Sequence, residues 1–468
     1  MSQWQVSSLF ISAKRYEEKE GKEMIKDMTE GEPRKVLLGF MLPMLGSVIF
    51  QQMYNIIDSV VAGKCIGPDA LAAVGASYPI TMIFVAIGLG MNVGCSVLIS
   101  QLFGAKKMEE LKTAVFTSII SVLVLSLILT VLGQIGCNAM IRLLQTPDNI
   151  FKDSSLFLRI YIFGLVFVFV YNICNGIFTA LGDSATPFYF LVASSVGNII
   201  LDLVFVICFK FGVGGLAWAT FTAQGLAAIA ALFVLMKRIG NIKTEKFQRF
   251  SGNTLKKLVW ISVPSILQQS FVSIGNLFIQ SIVNSYGSVV IAGYSGAIKL
   301  NTFAVTAFST IGNSLSNFVA QNIGARKMER VKQGFRACFR MSLCIIIPFT
   351  LLYVFGGNLM MRIFVNADKK AVIQEGVLFL RIVAPFYLVV CIKLICDGVL
   401  RGAAAMKLFM ITTFSDLILR VILAFVFQIF WGTVGIWWAW PVGWIAGMFL
   451  SIAFYVSGRW KEKNRIIA

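Results

Sequence analysis

The sequence predicts an all-α integral membrane protein with twelve transmembrane helices, arranged as two six-helix bundles related by internal duplication. Three observations lead there. Hydrophobic residues make up 57% of the 468 residues and charged residues only 13%, whereas soluble domains are about a quarter charged. Apolar runs of about 20 residues, long enough to cross a hydrocarbon core of roughly 30 Å, recur along the whole chain. The chain also repeats itself. QLFGAKKME at 101–109 returns as QNIGARKME at 321–329, a spacing of 220 that also pairs Ala72 with Ala292, Arg142 with Arg362, Gly182 with Gly402 and Gly215 with Gly435. LFLRI at 156–160 and 378–382 has a spacing of 222, so two residues are inserted between Arg362 and Leu378. A repeat this long is no solenoid unit. It fits two membrane lobes with a path between them.

Taken in order, residues 1–35 form a polar tail of mixed charge (KRYEEKEGKEMIKD at 14–27) with no apolar core, so it does not read as a cleavable signal peptide. A start at Met24 or Met28 stays open. The first lobe, 36–236, carries spans at 36–62, 71–102, 113–135, 155–181, 187–210 and 214–236. A basic linker, 237–256, is expected to hold a loop and a short interfacial helix. The second lobe, 257–457, carries spans at 257–284, 290–320, 335–356, 376–400, 407–430 and 434–457, followed by a tail at 458–468. Barrel strands would show short alternating segments instead. Gly104 and Gly324 close long helices, where a left-handed terminal glycine is expected.

The net charge of +19 suggests nucleic acid until it is sorted by loop. Most Lys and Arg fall on the side of the two tails, the linker and the 105–112 and 324–336 loops. Lys64, Arg142, Lys152, Lys210, Arg362, Lys369 and Lys370 fall on the other. This is the asymmetry that places basic loops inside, so both termini are expected in the cytoplasm of a cell-membrane protein. Anionic lipid headgroups are then the partners of those loops, and no nucleic acid is called for. A monomer is expected. The nine Cys form no C-x-x-C pair and several, such as Cys95, Cys174, Cys208 and Cys391, sit in spans as small hydrophobes. With no His at all, imidazole metal sites and His proton relays are excluded. Neither a metal nor a cofactor is expected.

A charged side chain in the bilayer costs roughly 2.5–3.5 kcal/mol on insertion scales, so each asks for a function. Asp58 and Asp202 stand in the first lobe, each fifteen residues beyond a proline, Pro43 and Pro187. At 1.5 Å per residue they reach similar depth. Asn55 and Asn198 share their helix faces, and Thr220 falls near the same level. Neighbouring buried carboxylates raise one another's pKa, so the cluster suits an ion-coupling site for H⁺ or Na⁺. The bland alternative is a helix-end cap for Asp58 and a buried polar partner for Asp202. In the second lobe Lys393–Asp397 and Asp416–Arg420 are spaced i, i+4, as within-helix ion pairs. Lys299 lines either a cavity or the lobe interface. Gln51, Gln52, Gln268 and Gln269 either bond between helices or line a cavity. Pro43 and Pro264 are candidate bending points. Some of the 40 Phe and 18 Met line the cavity, where they suit apolar cations.

With these residues in view, the chain resembles the MATE (multidrug and toxic compound extrusion) transporters over about 30–460. The resemblance rests on Pro43, Asp58, Gly63, Gly67 and Leu71–Gly75, on the paired Q-x-x-G-A-x-K-M-E turns, on Ala180–Pro187 with its partner Leu400–Gly402, and on Asn198–Asp202. It implies two six-helix lobes in a V and export of cationic, amphipathic drugs and dyes against an inward gradient of H⁺ or Na⁺. It also implies a first-lobe pocket of Asp58, Asn175, Asn198, Asp202 and Thr220. Helix seven carries no acid over 265–282, which is closer to the DinF/MepA-like branch than to the NorM-like one. Two rival functions are kept. A lipid-linked saccharide flippase would use cavity cations such as Lys299, Lys393 and Arg420. A membrane enzyme would need a nucleophile motif, and none is present.

Overall fold

The computed structural model describes residues 26–61 and 66–462, and its regular elements in that range are helices. In chain order the helices of the first lobe are α1 (Pro33–Val61), α2 (Pro68–Gly104), α3 (Met108–Leu143), α4 (Asp148–Phe163), α5 (Leu165–Ala180), α6 (Ala185–Leu203) and α7 (Gly212–Gly240). Those of the second are α8 (Gly252–Asn284), α9 (Ser288–Gly324), α10 (Met328–Phe355), a short α11 (Gly357–Met361), α12 (Lys370–Val383), α13 (Tyr387–Gly402), α14 (Met406–Trp431), α15 (Thr433–Val456) and a terminal turn, α16 (Arg459–Glu462). Among the described residues eleven helices are long and apolar enough to cross a membrane, or twelve when the bent pair α4–α5 is one span.

The duplication shows in where helices break. α4 and α5 meet at Gly164 with a 47° bend. In the second lobe α12 and α13 are separated by the tight turn Ala384–Phe386, the same place when the spacing of 222 is applied. Pro385 lacks the N–H that a continuous helix would use there. Pro43 and Pro264, by contrast, lie inside uninterrupted helices. α6 widens into a π-turn at Val204–Cys208 directly after Asp202, a distortion that often accompanies a functional residue.

Two of the seams between the lobes are related by the repeat. α2 packs along α8, and Gly90 and Gly94 permit it: a Cβ on Gly90 would meet the Ile266 backbone nitrogen at 2.5 Å, and one on Gly94 the Ser262 Cα at 2.9 Å. At the related seam, α1 against α9, the spacing of 220 puts Thr310 and Ser314 in the glycine places, and Ser314 Oγ reaches Met44 Sδ at 3.3 Å. The first seam brings backbones together, while the second is held by side chains.

The linker departs from expectation. Residues 241–251 carry no helix. Their backbone N–H groups donate to side chains of α3 instead of to one another, Gln248 to Thr113 Oγ1 at 3.1 Å and Ser251 to Thr117 Oγ1 at 3.2 Å. Phe247 stacks on Phe116. The basic–apolar alternation therefore pins an extended strap to α3 and does not form an interfacial helix. Cys95, Cys174 and Cys391 are buried, but Cys208 is exposed.

Candidate functional site

A cavity of about 500 Å³ lies between the lobes, lined from both halves. Its walls are mostly neutral and polar. The first lobe supplies Gln51, Asn92, Asn172, Asn175, Asn198 and Thr220, with Tyr54, Tyr161 and Tyr171. The second supplies Gln268, Gln269, Asn313, Ser316 and Asn317. Of the charged side chains, Asp397 and Arg401 reach it.

The cavity is closed where the duplicated Q-x-x-G-A turns meet, at the end of the molecule rich in Lys and Arg. Gln101 Nε2 donates to the Gly402 carbonyl at 2.9 Å, and Gln321 Nε2 donates to the Ala180 carbonyl at 2.8 Å. These two bonds are related by the repeat, because Gln101 and Gln321 differ by 220 and Ala180 and Gly402 by 222. The closing glycines play a part other than the expected one. Gly104 and Gly324 are helical. The left-handed residues are Lys106 and Arg326, two positions on. The glycines are needed because a Cβ on either would sit on the opposite glutamine's carbonyl oxygen, Gly104 on Gln321 and Gly324 on Gln101. Likewise the left-handed partner of Gly182 is Ala404, not Gly402, so the two-residue insertion still holds at this turn.

Residues 26–31 cap the closed end. Met28 is fully buried; its N–H donates to Gln321 Oε1 at 2.9 Å and its carbonyl accepts from Asn322 Nδ2 at 3.1 Å. Lys327 Nζ reaches the Thr29 carbonyl at 2.9 Å, and Arg330 Nη1 reaches that of Gly31 at 2.8 Å. Asp27 pairs across to Lys106 of the first lobe. Partial burial opposes ionisation of Asp27, but bonds from Lys106 and Thr29 outweigh it and hold the carboxyl below its usual range.

In the first lobe the network fixes how the Asn198 amide points. Its nitrogen donates to Asp202 Oδ2 at 3.0 Å and to Tyr54 Oη at 3.2 Å, and its oxygen accepts from the Thr220 backbone N–H at 3.0 Å. Asp202 is fully buried, just behind the cavity wall that Asn198, Thr220 and Tyr54 form. Asn198, Asp202 and Thr220 thus come together, joined by Tyr54, which the sequence reading missed. Asn175 lines the cavity but makes no contact with this group among the hydrogen bonds found. The side chains of Asn55 and Asp58 lie outside the described residues, as does Gly63.

The second-lobe charges pair differently from their spacing. Lys393 Nζ bridges Asp397 Oδ2 at 3.2 Å and Asp416 Oδ2 at 3.3 Å. The expected Asp416–Arg420 pair is not formed; the Arg420 guanidinium lies 4.4 Å from the Trp440 ring centroid instead. Helical spacing brings two side chains to one face, but a buried ammonium on the neighbouring helix competes more strongly for Asp416. Asp397 Oδ1 also accepts from Thr412 at 2.9 Å and Ser451 at 2.7 Å. Lys299 is exposed, with its ammonium over Phe364, and it does not line the cavity. Lys393 is the keystone of this group. Lys393→Met is expected to cost about 3–5 kcal/mol by leaving two buried carboxylates uncompensated, read as a lowered thermal midpoint in detergent. Adding Asp416→Asn should restore part of the loss. Among the described residues no three His, Cys, Asp or Glu side chains gather as metal ligands.

The MatE family model matches residues 43–204 and 264–426, once in each half. The chain is 26% identical over 437 residues to the probable multidrug resistance protein YpnP of Bacillus subtilis (strain 168), covering 93% of this chain and 97% of that protein. It is 30% identical over 338 residues to the probable multidrug resistance protein YoeA of the same organism, covering 70% and 71%. An outward-facing structure of a multidrug resistance MATE family transporter of the MOP superfamily superposes with a TM-score of 0.86 at 21% identity, over 92% of this chain and 96% of the other. Two matched halves in one chain, together with a full-length relative, mean that this protein belongs to the MatE family of membrane transporters and is not an enzyme.

Proposed function

We propose that the protein is a secondary active efflux transporter for amphipathic organic compounds, cationic dyes among them, exchanged for H⁺ or Na⁺ by alternating access. The observation that carries this reading is the polar cavity between duplicated lobes, sealed at one end by paired contacts that the repeat itself generates. Relatives named as multidrug resistance proteins support the cargo class. Loop charges put the sealed, basic end and both termini in the cytoplasm, so the cavity faces outward across the cell membrane. Asp202, held by Asn198 beside Tyr54 and Thr220, serves as the coupling carboxylate, with Asp58 and Asn55 its partners from the same lobe. Ion uptake there would repack α1, with Pro43 as the bending point, and release cargo. Lys299, Lys393 and Arg420 do not line the cavity, so the flippase alternative loses the residues it rested on.

The test is dye transport in proteoliposomes with a pH gradient and a Na⁺ gradient imposed separately. One gradient is expected to drive accumulation of an ethidium-like cation against its concentration. If neither drives net movement of any amphipathic dye, the exchange mechanism is wrong.

A further inference from the structure

The duplication exposes a polarity that its first half lacks. With the spacing of 222 that LFLRI shows and the left-handed Gly182 and Ala404 share, Tyr171 corresponds to Lys393, Asn175 to Asp397, Thr179 to Arg401, Ser194 to Asp416 and Asn198 to Arg420. Five neutral polar positions in one lobe are five charged positions in the other. Two carboxylates against three basic groups leave one positive charge over.

That excess is carried to the cavity by Arg401. Lys393 is shared between Asp397 and Asp416, and Arg420 lies over Trp440. Asp397, one turn back from Arg401, has one oxygen on Lys393 and the other on Thr412 and Ser451. Arg401 takes part in no ion pair among the described residues, and its Nε, buried, has no hydrogen-bond partner. The side chain is 6% exposed, rests against the Phe409 ring and lines the cavity floor. Ser316 lines the same floor, and its buried hydroxyl is also without a partner. Its helix is brought up against α13 by glycine: a Cβ on Gly398 would strike the Gly312 carbonyl, and one on Gly402 that of Ser316. A buried guanidinium that presents planar donors to a cavity is matched by a carboxylate or phosphate, and leaving it unmatched is costly.

We infer that the cavity floor is an anion subsite built on Arg401 with Ser316, so that the favoured cargo is an amphipathic compound bearing a carboxylate or phosphate, as a zwitterion or an organic anion. This rests on the efflux reading and names its substrate class. An aromatic cationic body would lie against the Tyr and amide walls while its acid end seats at Arg401.

The experiment compares a rhodamine bearing a free carboxylate with its methyl ester, binding each to the full-length protein in detergent. Wild type is expected to favour the acid, and Arg401→Gln to shrink that preference by about tenfold or more, with Arg401→Lys recovering part of it. The readout is a ratio of affinities on one sample, so partial misfolding of a variant does not move it. Equal affinity of wild type for the two dyes overturns the subsite while leaving efflux standing, and so does a preference that survives Arg401→Gln. Failure of wild type to bind either dye overturns both readings.

Discussion

Replacing Asp202 by Asn is expected to abolish gradient-driven efflux while leaving the protein folded and inserted. The change is nearly isosteric. An amide oxygen still accepts from the Asn198 nitrogen, which donates to Asp202 Oδ2 at 3.0 Å, so the packing of α6 against α1 and α7 survives. What is lost is the ability to change charge. A transporter driven by an ion gradient must carry a group whose ionisation or ligation differs between its two states, because a ligand shifts an equilibrium only by its differential affinity for them. Without that group the dye can bind and cross only down its own gradient. The measurement is active dye accumulation, normalised to inserted protein, beside equilibrium dye binding. Accumulation should fall by about tenfold or more with binding retained. A variant that pumps at the wild-type rate removes Asp202 from the coupling role, and one that loses binding and transport together makes it a structural residue.

The spans were legible because their signal is long. The run predicted at 214–236 is the core of Gly212–Gly240, and that at 290–320 of Ser288–Gly324. Twenty apolar residues in succession have one low-energy arrangement in lipid, where every backbone polar group must be satisfied within the segment. Asn198, Asp202 and Thr220 were legible for a related reason: polar residues are rare enough in such spans that depth alone brings them together. What stayed hidden depends on neighbours from elsewhere in the chain. Asp416 chooses Lys393 over Arg420 because α13 delivers an ammonium to it, which spacing along α14 cannot reveal. Arg401 stands in the last turn of α13, next to a loop, yet its side chain lines the cavity. The cue was present in the LFLRI spacing, since carrying 222 onward pairs Arg401 with Thr179. The spacing of 220 that links Gly182 to Gly402 conceals it. Gly104 and Gly324 show the same limit. Their position predicts a helix end, and only the crossing of α2 and α9 shows that the missing Cβ matters more than the backbone angle.

That crossing yields the second large effect. Gly324→Ala, and Gly104→Ala with it, is expected to hold the basic end open. The added Cβ meets a backbone carbonyl of the opposite helix, an atom that cannot rotate away as a side chain would. Overpacking of this kind costs about 1–3 kcal/mol, and separating α2 from α9 also strains the Gln101–Gly402 and Gln321–Ala180 bonds and the seat of Met28 on Gln321. Each 1.4 kcal/mol shifts a two-state balance about tenfold, so a protein that rests closed would spend much of its time open at that end. Ser96 reports the change, because its hydroxyl bonds Asn317 of the other lobe on the cavity side of the seal. A cysteine at position 96 should be labelled by an impermeant thiol reagent from the basic end about tenfold faster in the Gly324→Ala background, and efflux should fall because the basic end no longer closes to complete the cycle. Unchanged labelling would mean that the lobes tolerate the extra methyl, and that the seal is carried by the residues 26–31 cap alone. Removing Met28's anchor through Gln321→Leu separates the cases: it should loosen the cap and the Ala180 bond together, yet leave each glycine against the backbone carbonyl of the opposite helix.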